Sequence, residues 1–153
     1  QRRNGQTIVV NYRNVIGSDE YEYEVKWFHK YLGTNVHYVD RNGKDFQSYS
    51  IADHAKVVVG MHSTLLREIF GRGNKVLECN YGDLHFDVLV EGMWQLKEKG
   101  YEIFEKRLLD LLAMGADDYK TLCGKYPFYF IGYDEAQPTH AVISSFIECH
   151  IHE

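Results

Sequence analysis

KVVVGMHSTLLREIFGRGNKVLECN, residues 56–80, is the most ordered stretch of the chain. A β-branched run ends on Gly60, and apolar residues at helical spacing begin behind Ser63 and Thr64. That helix stops at Gly-Arg-Gly, and a second strand-like run, 75–79, follows at once. Strand, helix and strand with short joints form a βαβ unit, whose two strands run parallel. The strands are apolar throughout rather than alternating, which fits a sheet covered on both faces.

The same rhythm extends upstream. Residues 7–11 (TIVVN) read as a strand and 12–17 as a loop. Residues 21–32 place Tyr21, Val25, Phe28 and Leu32 on one helical face, with Gly33 as the stop. Residues 35–40 read as a strand, 41–45 as a polar loop, and 48–55 as a short helix capped by Ser48. Strand 57–60, helix 63–70 and strand 75–79 complete a β-α-β-α-β-α-β order. The expectation is an α/β fold: a Rossmann-like open parallel sheet with helices on both faces. The strand exits after Asn11, Asp40, Gly60 and Cys79 would share one edge. Beyond Asn80, 86–90 and 92–96 are short candidate strands. Residues 101–114 are an amphipathic helix with Tyr101, Phe104, Leu108, Leu109 and Leu112 on one face. Shorter elements follow at 117–123 and 126–131, then a last helix, 141–149, capped by Thr139 behind Pro138. These C-terminal helices are expected to pack alongside the sheet. No internal repeat or linker interrupts the chain, so 1–153 reads as a single domain.

Composition narrows the partners. A length of 153 residues suits one domain with a real core. A formal net charge of −5 argues against non-specific nucleic-acid binding. No apolar run reaches the roughly 20 residues needed to span a bilayer, and no signal-peptide pattern is present. Cys79, Cys123 and Cys149 fall at no metal-ligand spacing and read as reduced thiols, which implies a cytoplasmic setting. His150 and His152 are the one tight histidine pair and read as a solvated tail, so no metal is expected. The chain starts on Gln rather than Met, which suggests a piece of a longer protein.

Ligands of open parallel sheets bind at the carboxyl ends of the strands. Helices beginning there aim free N–H groups and a positive dipole end at the ligand, and phosphate is the usual beneficiary. Gly60 permits close approach, Ser63 and Thr64 add hydroxyls, and His62 can donate to a phosphoryl oxygen. The stretch is neither a P-loop nor a GxGxxG fingerprint. Ser63-Thr64 reads equally well as a plain helix cap. Glu68 is either a solvated helix glutamate or an acceptor for two ribose hydroxyls. Arg13 and Asn14, placed after the first strand, could meet the same crevice, or Arg13 could be a solvated loop residue. Asp40 reads more readily as a turn aspartate than as a base contact. Ser48 is explained by capping, and Tyr49 begins the same helix. Cys79 has no adjacent base and reads as a buried thiol. Asn80 and Asp83 belong to a loop that could face a sugar. The aromatic cluster at 126–130 with Tyr133 reads as core.

The order strand–Gly-x-His-Ser-Thr-x-x-x-Glu-x-x-x-x-Gly-x-Lys-Val-Leu-x-x-Asn resembles the C-terminal half of GT-B-fold glycosyltransferases, particularly those of bacterial surface-polysaccharide synthesis. Only 57–80 carries the specific motif, although weaker likeness runs from Thr7 to Ile147. The resemblance implies a donor-binding domain of a two-domain protein, with a nucleotide-sugar as substrate and no separate cofactor. It places His62, Ser63 and Thr64 at the diphosphate and Glu68 at the ribose, while Gly60, Arg13 and Asn80 join the donor site by their places at the strand ends. Arg13 and His62 become candidate stabilisers of the leaving group. The glycan acceptor and the catalytic base would belong to an N-terminal domain, with peripheral membrane attachment of the whole protein. Two departures stand out. The position eight residues before Glu68 is Gly60 rather than an acid, which weakens the case for a retaining mechanism. The usual proline after the second glycine is Lys75. A nucleotide-sugar 2-epimerase-like domain and a non-catalytic interaction domain are the alternatives on the same fold.

Overall fold

Parallel pairing, the consequence of the βαβ pattern, is present in the computed structural model, which describes residues 7–41, 46–82, 91–127, 136 and 138–151. The elements are β1 (Val9–Val15), α1 (Asp19–Leu32), β2 (His37–Arg41), α2 (Gln47–His54), β3 (Val58–Gly60), α3 (Thr64–Gly71), β4 (Val76–Cys79), β5 (Gln95–Leu96), α4 (Tyr101–Ala113), α5 (Ala116–Cys123) and α6 (Thr139–Ile151). This is an α/β fold of Rossmann-like type with small open sheets. The chain divides into two units, Gln1–Ile51 and Ala52–Glu153.

In the first unit, β1 and β2 pair in parallel across the α1 crossover, with Val9 opposite His37 and Asn11 opposite Val39. The strand is longer than the run TIVVN suggests. Tyr12–Val15, expected as loop, continues β1 through an irregularity before Val15 pairs with Arg41. The cause is tertiary. Glu24 on α1 accepts from the backbone N–H of Arg13 and of Asn14, both at 3.0 Å, and from Asn14 Nδ2 at 2.9 Å. Arg41 Nη1 donates to the Arg13 carbonyl at 3.0 Å. Tyr12 turns inward and stacks on Tyr38, with centroids 5.6 Å apart. Helix α1 starts earlier than the apolar spacing indicates, because Ser18 Oγ accepts from Tyr21 N at 3.1 Å. Ser48, expected as the cap of α2, lies inside that helix and instead accepts from Asn11 Nδ2 at 2.8 Å.

Asp40 is within β2 rather than in a turn, and its carboxylate accepts the Tyr21 hydroxyl at 2.5 Å. That bond, aided by partial burial, pushes the Tyr21 hydroxyl up from 10.0 to about 12. A raised pKa means that the folded state holds the proton more tightly. The contribution is therefore complete below the ordinary tyrosine range and lost as pH rises through about 12. With carbon-13-labelled tyrosine, the resonance that is absent from Tyr21→Phe should titrate later than free tyrosine. Titration of Tyr21 with the free tyrosines would remove the bond from the solution structure.

In the second unit the sheet order is β3-β4-β5, all parallel. Gly60 pairs with Glu78, which in turn pairs with Gln95. Every residue of β4 is buried, so both faces of its strand are covered, as the apolar run required. Leu66, Ile69 and Phe70 of α3, Leu111 of α4, and Tyr119 and Cys123 of α5 close the core with Trp94 and Leu96. Lys75, the departure from proline, ties two elements together, because its ammonium donates to the carbonyls of Leu111 (3.0 Å) and Met114 at the end of α4. A cation is favourable at a helix C-terminus. Residues 86–90 and Asp83 lie outside the described residues, as do His152, Tyr133 and the aromatic cluster beyond Pro127.

Candidate functional site

The second unit carries a cleft of about 520 Å³ at the carboxyl ends of its strands. Val59, Gly60 and Met61 come from the end of β3, and Cys79 and Tyr81 from the end of β4. Lys99, Gly100, Tyr101 and Phe104 come from the start of α4. This is the edge at which open parallel sheets bind ligands. Aromatic and aliphatic side chains dominate the lining, and Lys99 supplies a cation.

Gly60 lines the cleft, and its bare backbone also has a packing cause. A Cβ there would lie 3.2 Å from Leu66 Cδ1, so the glycine lets α3 seat closely against the end of its strand. Next in the chain, His62 is half-buried and adopts φ 45°, in the left-handed region. A non-glycine residue is held there at a cost of about 1–3 kcal/mol only when its surroundings fix it, and such strain gathers at functional sites. The turn between β3 and α3 is therefore a constrained one.

Ser63 occupies the N-cap position of α3 with extended backbone, but its side chain makes no capping hydrogen bond. The plain-cap explanation of Ser63 fails on that geometry. Helix α4 begins at Gly100 (φ 151°), which has no side chain to cap with. Two helices thus start at this edge without a side-chain cap, one on the cleft wall and one just past Met61. Uncapped first-turn amides are the donors that anions use.

The remaining sequence candidates fall as follows. Thr64 is the first residue of α3 and is exposed. Glu68 is exposed one turn further along, away from the buried side formed by Leu66, Ile69 and Phe70. Asn80 is buried at 6% exposure, and its N–H donates to the Leu96 carbonyl at 2.8 Å, so it belongs to the sheet rather than to an open loop. Cys79 is a free, buried thiol on the cleft floor. Burial pushes its pKa up, only partly offset by a hydrogen bond with Tyr81, so it is no activated nucleophile. Arg13 belongs to the first unit, exposed within β1.

Sequence reasoning missed Lys99, Gly100, Tyr101 and Tyr81. The available signal was Lys-Gly directly before the strongest helix of the chain, a second glycine-to-helix joint. It also missed Glu78, a carboxylate fully buried in β4, on which Gln95 Nε2 donates at 3.3 Å. Among the described residues, no group of three or more His, Cys, Asp or Glu could hold a metal ion. No described helix is long and apolar enough to cross a membrane.

A family model described as "putative O-antigen biosynthesis protein" matches residues 2–139. No curated protein and no solved structure gives a match.

Proposed function

The chain belongs to this O-antigen biosynthesis family, and from that premise we propose that it is the donor-binding domain of a glycosyltransferase building a surface polysaccharide. The observation that carries the reading is the pair of uncapped helix starts at the strand-end cleft, with Lys99 beside them. A nucleotide-sugar diphosphate meets that edge with two negative phosphates, which suit the helix N-termini and the lysine. The flat face of the nucleobase suits the wall of Tyr81, Tyr101 and Phe104.

In this reading the domain supplies binding and leaving-group stabilisation. As the glycosidic bond to the diphosphate breaks, charge accumulates on the departing phosphate oxygens. Donors already aimed at that position act without reorganisation. Helix amides, Ser63, Thr64 and His62 are the donors of this chain at the α3 start, and Lys99 is the cation at the α4 start. The glycan acceptor and the base that activates it belong to a second domain of the complete protein.

Calorimetry with a nucleoside and its diphosphate tests the site directly. Charge-assisted contacts contribute roughly 1.5–3 kcal/mol each, so one such contact makes the diphosphate at least about tenfold tighter. Equal affinity for nucleoside and nucleoside diphosphate would remove the phosphate from the cleft and end the donor reading.

A further inference from the structure

The first unit has its own concave surface, a cleft of about 590 Å³ lined by Asn14, Asp19, Glu20, Tyr23, Glu24 and Trp27. Tyr23 and Trp27 are one helical turn apart on α1, and Tyr31 continues the row, its ring 4.8 Å from that of Trp27. Tyr23, Trp27 and Tyr31 are 71%, 46% and 61% exposed as residues. A row of three exposed aromatic rings on one helix face is an apolar patch of the kind that marks a binding surface. The acids have a partial local explanation, since Asp19 and Glu20 lie in the first turn of α1, where the dipole favours them. That explanation leaves the exposed rings unaccounted for.

We propose that this cleft is a saccharide-binding subsite, with Trp27 and Tyr23 as the stacking floor and Asp19, Glu20 and Asn14 as the polar rim. A pyranose ring presents a flat face of C–H groups, which packs on an aromatic ring, while its hydroxyls project from the edge. Carboxylate and amide oxygens at the rim accept from those hydroxyls. Glu24 serves the site indirectly, because its oxygens already hold the Arg13 and Asn14 amides and so fix Asn14 at the rim. The charge of the lining selects the sugar. It contains three carboxylates and no lysine or arginine. Neutral sugars and protonated amino sugars are complementary to it, and uronic acids are repelled. Family membership in polysaccharide biosynthesis supplies a glycan as the occupant. The subsite does not depend on what the cleft of the second unit binds.

Titration of tryptophan emission tests this, because the chain has two tryptophans and Trp94 is buried. Glucosamine, glucose and galacturonic acid tetramers are the probes. Saturable binding of the glucosamine and glucose oligomers is expected, with the galacturonate oligomer at least tenfold weaker. Trp27→Ala and Tyr23→Ala should each weaken binding of the glucose oligomer at least tenfold, read by calorimetry in variants with unchanged circular dichroism. Nucleoside diphosphate affinity, measured in parallel, should be unaffected. Binding of the glucosamine oligomer alone, retained in Trp27→Ala, would reduce the effect to charge and overturn the proposal. So would failure of all three oligomers to bind. Self-association of the wild-type chain lost in Tyr23→Ala, without saccharide binding, would assign the row to a protein interface and overturn it equally.

Discussion

Trp94→Ala should destabilise the second unit by about 3–5 kcal/mol, the range for truncating a large aromatic residue in a packed core. Trp94 is 3% exposed, its ring lies 4.9 Å from that of Phe70, and Tyr126 meets it edge-on at 5.9 Å. Its carbonyl accepts Glu78 N at 2.7 Å, which ties β4 to the turn before β5. Gly92 shows how closely the indole is fitted, since a Cβ at that position would fall 2.4 Å from the ring. No small movement of the surroundings refills such a volume. Urea unfolding should show a lower midpoint with an unchanged slope. A loss below about 1 kcal/mol would mean that the core of this unit is not organised around Trp94.

Residues 56–80 were legible because two local signals coincide there. An apolar run with glycine at its end marks a buried strand, and helical spacing between Ser63 and Gly71 marks the crossover. The structure places β3, α3 and β4 within a residue or so of those limits. Other boundaries depended on partners distant in sequence. Tyr12–Val15 carries loop-like polar residues and becomes strand because Glu24 and Arg41 hold its backbone. Nothing between residues 12 and 17 announces that. Ser48 looked like a cap because serine near a helix start usually is one, yet Asn11 claims its hydroxyl.

The site was half legible for the same reason. The β3 side of the cleft, Val59 to Met61, lies in one continuous stretch, and of the site residues named from sequence Gly60 lines it. The opposite wall, Lys99 to Phe104, is brought there by β5, whose short ladder pairs Gln95 with Glu78 and Leu96 with Cys79. Two residues of pairing leave almost no periodic trace. Gly60 was readable as a point of close approach, but the neighbour that demands it within the fold is Leu66. The left-handed backbone of His62 has no signature in sequence at all, since glycine is the usual choice for that conformation.

Ser63→Ala with Glu68→Gln should separate stability from donor binding by a wide margin. Ser63 makes no capping hydrogen bond and Glu68 is an exposed helix residue, so the double variant should stay within about 0.5 kcal/mol of the parent in stability. Binding should respond differently. A hydroxyl on the diphosphate contributes about 0.5–1.5 kcal/mol and a carboxylate on the ribose about 1.5–3 kcal/mol. Their joint loss should weaken a nucleoside diphosphate by about 2–4.5 kcal/mol, on the order of a hundredfold in Kd. Each single variant divides the effect. Ser63→Ala should lower the preference for diphosphate over nucleoside, whereas Glu68→Gln should weaken both ligands alike, because both carry the ribose. Calorimetry on the complete protein, paired with urea unfolding, reads both quantities. A stability loss of about 0.5–2 kcal/mol in Ser63→Ala would return that serine to capping. Unchanged affinity in the double variant would remove the α3 start from the site and leave the Lys99 side of the cleft as the sole anchor for the phosphates.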